Sequence, residues 1–268
     1  MDMDLIFYLM MYVSLGAVVG FLSGLLGVGG GGILVPLLVS IFTYQGIDKD
    51  NIMQMALGTS LACSLPITAT SAYSHHRKGA VLWQIVKLVS PGIALGSLMG
   101  IIISVNIDGK YLALFFAFFM MMVALKMFSN WQPKSKEKPM LGFSSIISGV
   151  CIGIISALIS VGGAFFTILY LTYNNIDLKK AIGTSSAIGF VAITLATFGY
   201  LFSSPQSINI TYSLGYIYLP ALVLVTLSSV IMVPVGASVS HDLPNKRLKQ
   251  ILGVICVLLS IKLLYSMF

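Results

Sequence analysis

Acidic residues are almost missing from this 268-residue chain: Asp and Glu together number 8, Glu137 is the one glutamate, and charged residues of both signs make up 9%. The aspartates, among them Asp48, Asp108, Asp177 and Asp242, fall in loops or near the tail, so no carboxylate sits in the middle of a long apolar run. That argues against a carboxylate proton relay or an aspartate-built sodium site within a membrane. Cysteine is scarce as well. Cys63, Cys151 and Cys256 lie in separate apolar segments without C-x-x-C spacing, which indicates neither a disulfide framework nor a metal knuckle and leaves them as small buried hydrophobes. The 3 histidines show no metal-ligand spacing with carboxylates, so no metal and no cofactor is expected. His75-His76 and His241-Asp242 come nearest to the paired ionisable groups an enzyme needs, and neither makes a catalytic constellation.

Hydrocarbon fills the space that charge leaves. With 57% hydrophobic residues and a mean hydropathy of +0.99, the chain lies far from the roughly 45–50% apolar, 25% charged profile of soluble domains. It reads as an all-α polytopic membrane protein whose first partner is the lipid bilayer. The formal net charge is +7, but the basic residues are few and confined to short loops, where they set topology rather than bind nucleic acid. The acidic start Met1-Asp2-Met3-Asp4 lacks the basic region and cleavage site of a signal peptide, so the first apolar run is expected to be retained. Oligomeric state is left open.

A membrane-crossing helix needs about 20 apolar residues. Eight runs qualify: 5–26, 52–74, 80–105, 111–129, 141–160, 180–203, 212–239 and 250–267. Two shorter pieces, 31–43 and 163–174, each follow a glycine-rich break. They either continue the helix before them or return as the second leg of a helical hairpin, crossing fully or re-entering. Charge decides between these. If both return, each half has five segments, and with the linker inside, the basic residues split twelve to three, only Lys49, Lys110 and Lys262 lying outside. If both merely continue, the split is eight to seven and the bias vanishes. The positive-inside rule therefore predicts five plus five. An odd number of crossings places two homologous halves in opposite orientations, an inverted-topology repeat. The first repeat is expected over 1–128, a basic cytoplasmic linker over 129–140, and the second repeat over 141–268.

The halves carry matching motifs. Gly20 to Gly30 reads G-F-L-S-G-L-L-G-V-G-G and Gly153 to Gly163 reads G-I-I-S-A-L-I-S-V-G-G, followed by Gly58-Thr59-Ser60 and Gly183-Thr184-Ser185. The run Gly27-Val28-Gly29-Gly30-Gly31-Gly32 cannot hold a helix, since each glycine costs about 1 kcal/mol relative to alanine. A break at membrane depth survives only where protein or a water-filled cavity meets its backbone. A new helix beginning near Ile33 aims free N–H groups and a positive dipole end at that break, an anion site in outline. Ser160-Val161-Gly162-Gly163-Ala164 repeats the arrangement from the opposite side. Serine and threonine hydroxyls bind oxyanions without a buried charge. The candidate substrate-binding residues are thus Gly29, Gly30, Gly31, Gly32, Thr59, Ser60, Ser160, Gly162, Gly163, Thr184 and Ser185. Glycine in membrane helices also serves close packing, the role that Gly20 to Gly24 and Gly92 to Gly96 fit, and hydroxyls also bond helix carbonyls.

Together, G-x-x-x-G-L-L-G-V-G-G-G-G-I-L-V-P from Gly20 to Pro36, its second-half echo, and the A-x-G-T-S segments Ala56 to Ser60 and Ala181 to Ser185 resemble the sulfite exporter TauE/SafE family of bacterial membrane proteins. The resemblance covers nearly the whole chain. It implies a multi-pass inner-membrane transporter of sulfur-containing anions such as sulfite, sulfoacetate or another organosulfonate, usually an exporter. Import or channel-like passage of another small anion or of thiosulfate stays open beside it, with a non-transport membrane protein further off. The copies differ in that Phe165-Phe166 stand where the first has further glycines, and Leu169 stands opposite Pro36. Pro91-Gly92 corresponds to Pro220-Ala221, which predicts matched kinks.

Overall fold

The computed structural model describes residues 3–26, 30–47, 49–128, 142–160, 163–203, 212–242 and 245–267. The expected linker, 129–140, and the candidate residues Gly29 and Gly162 lie outside them. In the first half the elements are α1 (Met3–Leu26), α2 (Gly31–Tyr44), α3 (Lys49–Arg77), α4 (Trp83–Asn106) and α5 (Gly109–Phe128). In the second they are α6 (Gly142–Ile159), α7 (Ala164–Tyr173), α8 (Leu178–Phe202), a hairpin of β1 (Ser213–Leu214) and β2 (Ile217–Tyr218), α9 (Leu219–Asp242) and α10 (Asn245–Met267). Helix dominates because hydrocarbon offers no partner to a free amide or carbonyl, and only a helix satisfies both within one segment.

Among the described residues, six helices contain stretches long and apolar enough to cross a membrane: Phe7–Leu25, Asp50–Arg77, Trp83–Asn106, Gly109–Phe128, Lys180–Phe202 and Leu219–Gly236. The chain is a multi-pass membrane protein. Outward-facing Leu95, Leu98 and Ile102 on α4, Phe118 and Leu125 on α5, and Leu227 and Ile231 on α9 form the surface such a bundle presents to lipid. Among the six, the least apolar stretch is α3, and it is the most buried. It carries Gln54, Thr59, Ser60, Ser64 and Thr68 into the interior, where polar side chains can find partners that lipid would deny them.

Both short helices turn back. Tyr8 near the start of α1 bonds the carbonyl of Tyr44 at the end of α2, while Gly30 packs on Val19 and Ser23; α1 and α2 are therefore antiparallel. The second hairpin repeats this, with the Tyr170 hydroxyl donating to Ser145 and Gly163 against Ile152 and Ser156. With 14 residues in α2 and 10 in α7, they reach about 21 and 15 Å at 1.5 Å per residue, short of a hydrocarbon core of about 30 Å.

The direction of the longer helices separates five plus five from four plus four. Gly58 packs on Tyr200 and Ser71 bonds Ser186, so α3 and α8 run antiparallel. Ser260 donates to the Ala117 carbonyl and Gly253 rests on Phe128, so α5 and α10 are antiparallel too. Had α2 and α7 merely prolonged their predecessors, both pairs would run parallel. Helices at corresponding positions thus point in opposite senses, the relation that inverted halves require.

The halves exchange their most extensive contacts: α1 lies along α9 and α4 along α6. These seams use glycine for close approach. Gly16 meets Val225 and Ser228, Gly20 meets Ser229, and Gly236 meets Phe21. In the other seam Gly92 and Gly96 meet the carbonyls of Ile146 and Val150, and Gly149 and Gly153 meet those of Val89 and Ile93. Their missing side chains let two backbones touch, which is how helices associate where no hydrophobic drive exists between them.

Basic residues separate along the bundle. Arg77, Lys78, Lys87, Lys126, Lys179, Lys180, Lys246, Arg247 and Lys249 lie at the end where α3, α5 and α9 finish, beside the linker. Lys49, Lys110 and Lys262 lie toward the end that carries the β-hairpin.

Three expectations need correction. The run 212–239 is not one helix: Gly215 at φ +55 turns the chain through the hairpin, and α9 starts only at Leu219. As a result Pro220 falls in the first turn of α9, where a missing N–H costs nothing, while Pro91 lies inside α4; the kinks are not matched. Cys63 and Cys256 are buried, but Cys151 is exposed, on the face of α6 that also turns Ile147 outward.

Candidate functional site

Two glycine breaks entering from opposite ends meet inside the bundle. A β-carbon on Gly31, the first residue of α2, would collide with the carbonyl oxygen of Ser160, the residue after α6. Ser160 Oγ lies 2.6 Å from Ser60 Oγ on α3. Three sequence-predicted residues, Gly31, Ser60 and Ser160, are thereby joined. Ser60 is anchored by the carbonyl of Leu57, 3.0 Å from its hydroxyl, and Ser64 returns to the Ser60 carbonyl at 2.8 Å. Ser160 holds φ +54, a left-handed backbone that a non-glycine residue adopts rarely.

The backbone at each break follows one plan. Gly30 rests on Val19 and Ser23, and Gly163 rests on Ile152 and Ser156, positions that match in the duplicated motif. Gly30 and Gly163 are the N-caps of α2 and α7, and neither helix start receives a side-chain cap. The Ile33 and Leu34 N–H groups both turn to the Gly30 carbonyl. Gly31 and Gly32 fill the first turn and are buried. Uncapped N-termini leave backbone donors and a positive dipole end aimed at the break. On α7, one turn in, Thr167 is fully buried and its hydroxyl has no protein partner.

A second pair of polar residues sits beside the first, from positions that no motif flagged. Ser104 of α4 and Tyr200 of α8 share a short hydroxyl–hydroxyl hydrogen bond, and Tyr200 also reaches the carbonyl of Ala157 in the last turn of α6, at 3.4 Å. Gln54 donates to the carbonyls of Ser104 and Ile107 at 3.3 and 2.9 Å. Nothing local singles out these residues. Only the packing of α8 from the second half against α3 and α4, with α6 along α4, brings them together.

The duplicated Gly-Thr pairs turn out to grip backbone. The Thr59 hydroxyl accepts a 3.0 Å hydrogen bond from the N–H of Tyr218, the residue before α9. A β-carbon on Gly58 would stand 2.7 Å from the Tyr216 carbonyl. In the other half, Thr184 accepts a 3.0 Å hydrogen bond from the N–H of Leu82, the residue before α4, and a β-carbon on Gly183 would stand 2.6 Å from the Ala80 carbonyl. Glycine admits the strand of backbone and threonine fastens it, once at each end of the bundle. Thr59 thereby holds the hairpin, which Tyr218 also wedges between Tyr12 and Phe42. Thr184 holds the turn between α3 and α4. Ser185 bonds the Ile182 carbonyl of its own helix at 2.8 Å and is not drawn to Ser60 or Ser160 by any hydrogen bond described.

Gly30, Gly31, Gly32, Thr59, Ser60, Ser160, Gly163, Thr184 and Ser185 are all buried. With both grips closed, the serine pair is shut off from either end.

The family model of the sulfite exporter TauE/SafE matches residues 12–263. A probable membrane transporter protein of Haemophilus influenzae is 32% identical over 258 residues, covering 96% of this chain and 98% of that protein. A probable membrane transporter protein of Methanocaldococcus jannaschii is 24% identical over 261 residues, 95% of each. The probable membrane transporter protein YdhB of Bacillus subtilis is 23% identical over 248 residues, 90% of this chain and 94% of its own. No solved structure matches.

Proposed function

The chain belongs to the sulfite exporter TauE/SafE family of membrane transporters, and from that premise we propose that it exports a small sulfur-containing oxyanion, such as sulfite, sulfoacetate or another organosulfonate, across the inner membrane of a bacterial cell. The observation that carries this reading is the meeting of the uncapped start of α2 with the Ser60–Ser160 hydroxyl pair inside the bundle, the equally uncapped start of α7 following Ser160 in the chain. Backbone donors and hydroxyls neutralise an oxyanion without a fixed cation. Among the described residues no cation is buried, so a bound anion is not held by a salt bridge strong enough to slow its release.

Transport then follows from the two grips. Releasing the hairpin from Gly58 and Thr59 opens the site toward one end; releasing the α3–α4 turn from Gly183 and Thr184 opens it toward the other. Opening them in alternation gives each side access in turn, with the inverted halves rocking about a fixed centre. Gly30, Gly31, Gly32 and Gly163 form the anion's backbone cradle in this scheme, with Ser60 and Ser160 supplying hydroxyls as their mutual hydrogen bond opens. The linker side, which carries most of the basic residues, is the cytoplasm.

The test is a thermal-shift and binding panel of sulfite, sulfate, thiosulfate, sulfoacetate and taurine on the purified protein, followed by flux in proteoliposomes. Stabilisation by the sulfur oxyanions, with saturable flux and counterflow, supports the proposal. If no anion raises the melting temperature, the proposal fails; flux without saturation replaces the transporter with a channel-like facilitator.

A further inference from the structure

A second feature, remote from the serine pair, has the chemistry of a ligand site. Between α1, α2 and α10 opens a wedge of about 740 Å³. Its walls are Met11, Leu15 and Val18 of α1 with Leu37 and Ile41 of α2, and at its α10 side stands Lys262. The serine and threonine hydroxyls of the wedge are occupied: Ser14, Ser40 and Thr43 each donate to a carbonyl of their own helix, and Thr43 shares a 3.3 Å contact with Ser266 that ties α2 to α10. Lys262 is different. It is exposed, no carboxylate lines the wedge among the described residues, and it lies five residues before the end of α10, about 7.5 Å along the axis. A lysine at that depth lays its methylenes along apolar surface and sends its ammonium group to the headgroup level. Exposed Tyr44 and Tyr265 stand at the same level, as aromatic residues do at a membrane interface.

We infer that this wedge is a binding site for an anionic glycerophospholipid, one acyl chain lying against Met11, Leu15, Val18, Leu37 and Ile41 and the phosphate paired with Lys262. Charge complementarity selects that occupant. A cation with no carboxylate beside it among the described residues rules in a negative headgroup, and an apolar trough leading away from it rules in a long chain; a free inorganic anion uses only the first. The lipid sits in the leaflet on the hairpin side and braces α2, whose first turn forms the glycine break.

The experiment uses the whole delipidated protein in neutral detergent, with melting temperature and native mass spectrometry as readouts. The probes are dioleoyl phosphatidylglycerol, dioleoyl phosphatidylcholine and inorganic phosphate. Phosphatidylglycerol is expected to raise the melting temperature and to be retained as a discrete adduct, with phosphatidylcholine and phosphate doing neither. Lys262→Gln should weaken phosphatidylglycerol binding about fivefold, the factor that ~1 kcal/mol for a basic residue near the surface amounts to, and Lys262→Arg should restore it. Lys262 is exposed, so both variants should fold, and unchanged elution on size exclusion checks that. Equal stabilisation by the two lipids, an effect of phosphate alone, or undiminished binding to Lys262→Gln each overturns the inference. None of these outcomes bears on sulfur-anion transport, which is measured separately.

Discussion

Ser60 Oγ and Ser160 Oγ lie 2.6 Å apart, although 100 residues separate them in the chain and each belongs to a different half. The contact joins α3, the most buried of the candidate spans, to the break that ends α6, where Ser160 also meets Gly31 of the first break.

Replacing Ser60 by alanine removes two buried hydrogen bonds, to the Leu57 carbonyl and to Ser160 Oγ, a loss of about 2 kcal/mol of stability, which leaves the protein folded. The stabilisation by sulfite or sulfoacetate should disappear. Ser160→Gly removes the same partner but relieves the left-handed backbone at φ +54, so its melting temperature should fall less than that of Ser60→Ala while its anion response falls equally. Thermal shift with and without anion measures both effects at once.

Gly31→Ala should be the most damaging of the glycine substitutions. Its β-carbon meets the Ser160 carbonyl, and backbone cannot move aside as a side-chain tip can, so the cost is about 3 kcal/mol. A control is available in Gly46, where φ is +74 but nothing lies within 4 Å; alanine there costs only the backbone strain, roughly 1 kcal/mol. Melting temperatures and the yield of monodisperse protein distinguish the two.

Thr59→Val and Thr184→Val keep side-chain shape and remove the acceptor. Each leaves one backbone N–H, of Tyr218 or of Leu82, without its partner, a cost of about 2 kcal/mol or roughly 30-fold in a local opening equilibrium. Amide hydrogen exchange should therefore quicken in the hairpin around Tyr218 for Thr59→Val and in the turn around Leu82 for Thr184→Val, each without the other. Simultaneous acceleration at both ends in either variant would count against independent grips.

An anion leaving a cell with a negative interior gains about 2.3 kcal/mol per charge per 100 mV. With no carboxylate at mid-span, export should run on that potential alone. Flux in proteoliposomes set to different potassium diffusion potentials should follow the voltage; indifference to voltage refutes the idea.

Sidedness has its own test. Cysteine placed at exposed Lys78 should be labelled by an impermeant maleimide only from the linker side, and at exposed Lys110 only from the opposite side. Labelling of both from one side would remove the five-plus-five arrangement.

An all-α, multi-pass chain with two short helices after glycine-rich breaks was legible in the sequence alone, though the run 212–239 was not one helix. Apolar runs of sufficient length can only be helices in hydrocarbon, and the twelve-to-three division of basic residues favours returning short legs over continuing ones. The first glycine break was legible in place but not in extent: glycine disfavours helix, yet α2 starts at Gly31 rather than near Ile33, and Gly31 and Gly32 form its first turn. The sequence could not assign partners to the hydroxyls. Thr59 and Ser60 are neighbours in the chain and look alike as oxyanion donors, yet one faces the hairpin and the other faces Ser160, because adjacent residues on a helix point about 100° apart. Nor could any local pattern reveal the hairpin before α9, the pair Ser104 and Tyr200, or the outward turn of Cys151. Those follow from the exchange of α1 with α9 and α4 with α6, contacts between residues more than 50 positions apart, and only the tertiary packing decides them.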